Sequence, residues 1–146
     1  MSRVVLAVLA FAAVVRLPAQ EALSKELQSL QGTWVVKSEN GKPVPAGEPQ
    51  VTLVIEGNKY SQTVGGEVVE RGEIRLDPSK TPMVLDMFIT EGKDANKAQF
   101  GVVKVDGAGM TLKLNAPAEP TRPKDFTVAE GYVVIVATKQ FKGTVD

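Results

Sequence analysis

The sequence contains no cysteine and no histidine. These absences exclude thiol nucleophiles, disulfides, Cys/His zinc sites, haem attachment through cysteine, and every Ser-His-Asp or Cys-His arrangement. Aromatic residues make up 5% of the chain, with a single Trp. No charge of either sign is in excess, since Lys+Arg and Asp+Glu are 17 each. A basic face for nucleic acid is therefore not expected. Carboxylates, Lys, Tyr, Ser and Thr are the chemical groups that remain. Paired carboxylates could do acid/base work or hold Ca²⁺ through oxygen alone. The nearest candidates, Asp77 with Asp86 and Glu91 with Asp94, match no calcium-loop spacing. Asp77-Pro78-Ser79-Lys80 reads as an Asp-Pro turn rather than a Ser/Lys nucleophile pair. Enzymatic activity, a cofactor and a bound metal are not expected.

What is present is 146 residues, 43% of them apolar, enough for one core and one domain. Arg3 precedes an unbroken apolar run over residues 4–15, and Pro18-Ala19 follows. A basic start, a short apolar run and a small terminal residue describe a secretory signal peptide. A spanning helix needs about 20 apolar residues, more than this run supplies. The expectation is a leader over 1–19 and a domain over 20–146. The domain would be exported to the periplasm or the exterior, without membrane attachment after cleavage, and would act as a monomer. Such a domain, lacking disulfides, relies on its core.

Leu23, Leu27 and Leu30 fall on one helical face, and Gly32 stands where a helix would stop, so a short helix is expected over 21–31. Beyond it, apolar alternation of period two recurs between turn signals. Strands are expected at 33–38, 51–55, 59–64, 67–76, 83–89, 98–105, 110–114 and 132–138. Gly57-Asn58, Gly65-Gly66 and Asp106-Gly107 mark tight turns, and Gly72 inside a strand signals a bulge or bend. Short connections favour antiparallel neighbours, and an eight-strand meander can abolish its edges by closing. The expected fold is an all-β, eight-stranded antiparallel meander barrel with a short N-terminal helix. A two-sheet β-sandwich is the alternative. The last strand is apolar on both faces, which calls for cover on both sides. Leu53, Ile55, Ile74, Leu76, Leu85, Met87, Phe100, Val102, Leu112, Leu114 and Val134 are expected to point inward.

Gly32-Thr33-Trp34 opens the first strand just after the helix, in the position and form of the lipocalin Gly-x-Trp motif. Further segments accompany it: Asn40-Gly41-Lys42-Pro43-Val44-Pro45, Glu56-Gly57-Asn58-Lys59-Tyr60, Leu76-Asp77-Pro78-Ser79-Lys80-Thr81-Pro82, Thr111-Leu112-Lys113-Leu114 and Arg122-Pro123-Lys124-Asp125-Phe126. From residue 27 to 139 the chain resembles a family of small exported bacterial domains, lipocalin-like, expanded in planctomycetes and without an assigned activity. The resemblance implies a barrel and secretion, and it supplies no catalytic residues. Where lipocalins place a late Arg against the motif Trp, this chain has Lys139 and Lys142.

Gly32 and Trp34 are structural candidates, with Trp34 plugging the closed end of the barrel. A buried aromatic dominates core energetics, which favours the plug over a ligand platform. A small apolar or amphipathic ligand in the barrel is the first functional expectation. Tyr60, Arg71, Met87, Phe100 and Tyr132 are its candidate contacts, because a polar group turned inward would need a partner. Met residues could line an adaptable wall. The alternative is a protein-interaction module with a filled barrel. Loops 40–49 and 115–131 would then carry a protein partner through an apolar patch near Val44, Pro45 or Phe126.

Overall fold

The structure is a computed structural model and describes residues 23–141. The expected leader over 1–19 and Lys142 lie outside the described residues. In chain order the elements are α1 (Lys25–Ser29), β1 (Gly32–Glu39), β2 (Lys42–Pro43), β3 (Val51–Glu56), β4 (Lys59–Val64), β5 (Glu67–Asp77), β6 (Met83–Gly92), β7 (Ala98–Asp106), β8 (Gly109–Asn115) and β9 (Tyr132–Gln140). Every neighbouring pair is antiparallel, and β1 also pairs with β9. Eight strands therefore close into a barrel, with β2 as one extra short strand on β1. The sandwich alternative is ruled out by that closure. All eight expected strands are present. β2 was not expected, because Gly41, Pro43 and Pro45 mask a two-residue ladder.

Turn length and strand direction give the barrel two different ends. The helix, the Gly57-Asn58 turn, the 78–82 loop and the Gly107-Ala108 turn gather at one end, here the closed end. The long connections 40–50 and 116–131 lie at the other. Helix α1 is shorter than its leucine spacing implied. Ser24 caps it, its Oγ accepting from the Leu27 N–H at 3.1 Å, and Leu30 ends it.

The interior is one apolar cluster, including Leu30, Trp34, Ile55, Ile74, Leu85, Met87, Met110, Leu112 and Leu114. Trp34 is fully buried and its indole N–H donates to the Leu30 carbonyl at 2.8 Å. The Lys139 ammonium lies 5.6 Å from the Trp34 ring centre, so Lys covers the indole where an Arg would stack. Trp34 is a plug beneath the helix, as expected.

Three residues expected inside face out. In β7, Leu85 and Met83 of β6 stand opposite Gly101 and Val103, so Phe100 and Val102 take the outer face. In β9, Val134 stands opposite Lys113, on the outer face. The error has a physical source. Residues 116–131 cross the outside of β6–β8 as a strap and bury apolar residues there, so hydrophobicity no longer distinguishes the two faces of these strands. Val102 is 1% exposed and Val134 6% despite facing outward. The strap is tied by Arg122 to Asp86, by Asp125 to Lys113, and by Phe126 under the Lys104 ammonium at 4.7 Å. On the outer face of β9 Val134 is buried but Val136 is exposed, so the cover expected on both sides of this strand is only partial. Phe126 and Val44 are half-buried, and Pro45 is exposed. Among the described residues, the large exposed apolar side chains are Val68, Val69, Val128, Val136 and Phe141.

Candidate functional site

The five ligand-contact candidates are not brought together. Tyr60 and Met87 point into the barrel and are buried. Arg71 is on the outside, paired with Glu91 at 3.0 Å and open to solvent. Phe100 lies outside, 5.2 Å from the Arg122 guanidinium. Tyr132 lies outside, 4.9 Å from the buried Lys113 ammonium. The shared reason is the strap, which recruits Phe100 and Tyr132 as its own supports.

Inside, Tyr60 makes the one polar arrangement of note. Its hydroxyl donates to Glu70 Oε2 at 2.9 Å. Glu70 shares the inward face of β5 with Gly72 and Ile74 by period-two alternation and stands opposite Gln62. Burial raises its carboxyl above the ordinary range; the Tyr60 hydrogen bond acts against this and the Asp94 charge adds to it. Burial, then Glu70's charge and hydrogen bond, push the Tyr60 hydroxyl up as well.

Two cavities lie at the closed end, outside the packed lumen. The larger, about 1060 Å³, is lined by Leu23, Ser24 and Leu27 beside the helix, residues 56–59 of the β3–β4 turn, residues 73–76 of β5, and Phe88. Strand lengths create it. β4 begins at Lys59, opposite Glu73, so β5 runs on past its neighbour from Ile74 to Asp77. The last tie between turn and strand is the Ile74 N–H donating to the Asn58 carbonyl at 2.7 Å. Gln31 fixes the opposite wall. Its amide donates to the Gly57 carbonyl at 2.9 Å and accepts from the Gly57 N–H at 2.7 Å, which clamps the helix end to the turn.

The smaller cavity, about 300 Å³, continues around the end of β5 onto the outer face of β5 and β6. It is lined by Arg75, Leu76, Asp77, Lys80, Val84, Asp86 and Arg122. Arg75 and Leu76 belong to both cavities. Arg122 is committed to Asp86 at 2.5 Å and to the Gly101 carbonyl at 3.0 Å. Asp77 accepts from the Ser79 N–H and hydroxyl, and those two bonds, with Lys80 and Arg122 nearby, hold its carboxyl below the ordinary range. Arg75 rests on the Phe88 ring at 5.2 Å. Among the described residues, neither Arg75 nor Lys80 has a carboxylate within 4 Å, and no group of three acids could hold a metal.

The trough thus offers an apolar floor and three cations, Lys59, Arg75 and Lys80, without an ion pair among the described residues. Sequence reasoning placed Leu76 inside, where the structure has it, and the same alternation leaves Arg75 on the outer face. It missed the trough, because nothing in the local pattern tells that β5 outruns β4. The unequal lengths of the runs 59–64 and 67–77 were the available signal. No family model matches the chain, and no curated protein and no solved structure matches it either.

Proposed function

We propose that this chain is an exported, non-catalytic binding domain of the lipocalin-like kind it resembles, and that its small-molecule ligand seats in the closed-end cleft. The observation that carries this reading is the contrast between the two ends of the molecule. Trp34, Leu85, Met110 and Leu112 fill the lumen, whereas a cleft of about 1060 Å³ stands between the helix and β5. Ligand sites are typically concavities of about 300–1,000 Å³ with apolar walls and a few placed polar groups. Leu23, Leu27, Ile74, Leu76 and Phe88 provide such walls, and Ser24, Asn58 and Arg75 the polar groups.

The test is an NMR titration of the isotope-labelled protein with 1-decanol, an uncharged apolar probe. Saturable shifts centred on Leu27, Ile74, Leu76 and Phe88 are expected. Shifts centred on Gln62, Glu70 and Gln99 would put the ligand in the open end and refute the cleft. The absence of any saturable shift would also refute it.

A further inference from the structure

We infer that the ligand class is an amphipathic anion, with its apolar body in the larger cavity and its carboxylate or related oxyanion at Arg75 and Lys80. The inference rests on the cleft being the binding site. Its own ground is the way charges are used around the end of β5.

The smaller cavity has three cations, Arg75, Lys80 and Arg122, against two carboxylates, Asp77 and Asp86. Internal bonds engage both acids: Arg122 holds Asp86, and the Ser79 turn holds Asp77. The positive charge left over sits on Arg75 and Lys80. Arg75 is shared, so the larger cavity adds only Lys59 against Glu56 and Glu73, and its own lining leans negative. An anionic head is therefore favoured at the smaller cavity and disfavoured deeper in the larger one.

Arg75 is suited to the role for a second reason. Its guanidinium lies on the Phe88 ring, which restrains the plane of the fork while leaving N–H edges for an oxyanion. A restrained fork gives up less entropy on forming a bidentate pair. Arg75 and Leu76 line both cavities, so a head at Arg75 leads directly to a tail on Leu76, Ile74 and Leu27. A free inorganic or acetate-like anion would use the cations alone; an amphiphile would use both parts.

The experiment compares four probes by calorimetry and NMR below micelle-forming concentrations: decanoate, 1-decanol, decyltrimethylammonium and acetate. The expected result is decanoate binding at least tenfold tighter than decanol at low salt, with the margin shrinking at high salt. In the R75Q/K80Q variant decanoate and decanol should bind alike. Both residues are exposed, so the variant keeps its fold, and its melting curve verifies this. Decanol binding without a decanoate preference overturns the anion and leaves the cleft standing. The same holds if the ammonium probe binds as tightly as decanoate. Acetate binding as tightly as decanoate overturns the amphiphile. Failure of every decyl probe overturns the cleft and this inference together.

Discussion

Tyr60 and Gly72 share one space. A Cβ on Gly72 would stand 2.6 Å from Cε1 of the Tyr60 ring and 2.8 Å from its hydroxyl, and would also strike the Phe88 carbonyl oxygen. The missing side chain lets Tyr60 reach across β5 to Glu70. Gly72→Ala must displace both a ring and backbone, which is overpacking with little room to relax. It should lower stability by about 1–3 kcal/mol, read as a fall in the urea midpoint. An unchanged midpoint would mean that the strand shifts freely there.

The Tyr60–Glu70 contact also predicts a pH dependence. The folded-state carboxyl of Glu70 is raised above its unfolded value of 4.5, chiefly by burial. The folded chain therefore binds that proton more tightly. Its contribution to stability is complete below the unfolded value and lost as pH rises through the folded one. Glu70→Gln imitates the protonated form and still accepts from Tyr60. The variant should match wild type near the unfolded value and exceed it at neutral pH. Glu70 is only half-buried, so solvent screening keeps the gain small. Melting temperatures across the acidic range check this; a difference independent of pH contradicts it.

Trp34 offers a graded test. Trp34→Ala removes the largest buried side chain and should cost about 3–5 kcal/mol. Trp34→Phe keeps an aromatic plug but leaves the buried Leu30 carbonyl without its indole donor, a loss of about 1–3 kcal/mol. Chemical denaturation should rank wild type above Phe and Phe above Ala. Equal costs for the two variants would remove the hydrogen bond from the account.

The barrel was legible because burial repeats every second residue. Leu53, Ile55, Leu112 and Leu114 need no tertiary knowledge to be paired on one face. Phe100, Val102 and Val134 were misassigned because the outer face is buried or half-buried at these positions, so hydrophobicity does not tell the two faces apart. Gly101 compounded this. It occupies an inward position as an apparent gap, which the Leu114 side chain fills, 2.6 Å from where a Cβ would lie. Period-two counting puts Glu70 on the inward face with Gly72 and Ile74; only its charge argued for the outside. The closed-end trough depends on the relative lengths of β4 and β5, a property of pairing and not of either segment alone.

Lys113 separates charge from packing. Its side chain is 5% exposed, paired with Asp125 at 3.2 Å and set on the Tyr132 ring. Its partner carboxylate is open to water and keeps its Thr127 bonds. Lys113→Met should therefore stay within about 1 kcal/mol of wild type, because a hydrophobe of similar volume can replace a buried ion without loss. Lys113→Ala should lose roughly 2 kcal/mol by leaving a void under the strap. If Met costs as much as Ala in urea, the ion pair and not the volume holds this part of the strap.

Arg122 tests whether the strap is a unit. Its guanidinium meets Asp86, the Gly101 carbonyl and the Phe100 ring at once. Asp86 is 14% exposed at its side chain, so removing Arg122 leaves a mostly buried carboxylate without its partner. Arg122→Ala should cost about 1–3 kcal/mol. Arg122→Lys should fall between, since an ammonium keeps the charge but cannot serve a carboxylate, a carbonyl and a ring with one plane. The loss should be local before it is global: amide exchange should speed up across 116–131 and at Val102, while Trp34 and Leu112 in the lumen keep their protection. Faster exchange in the lumen at the same rate as the strap would mean that the outer cover and the barrel open together, and that the strap is part of one cooperative core.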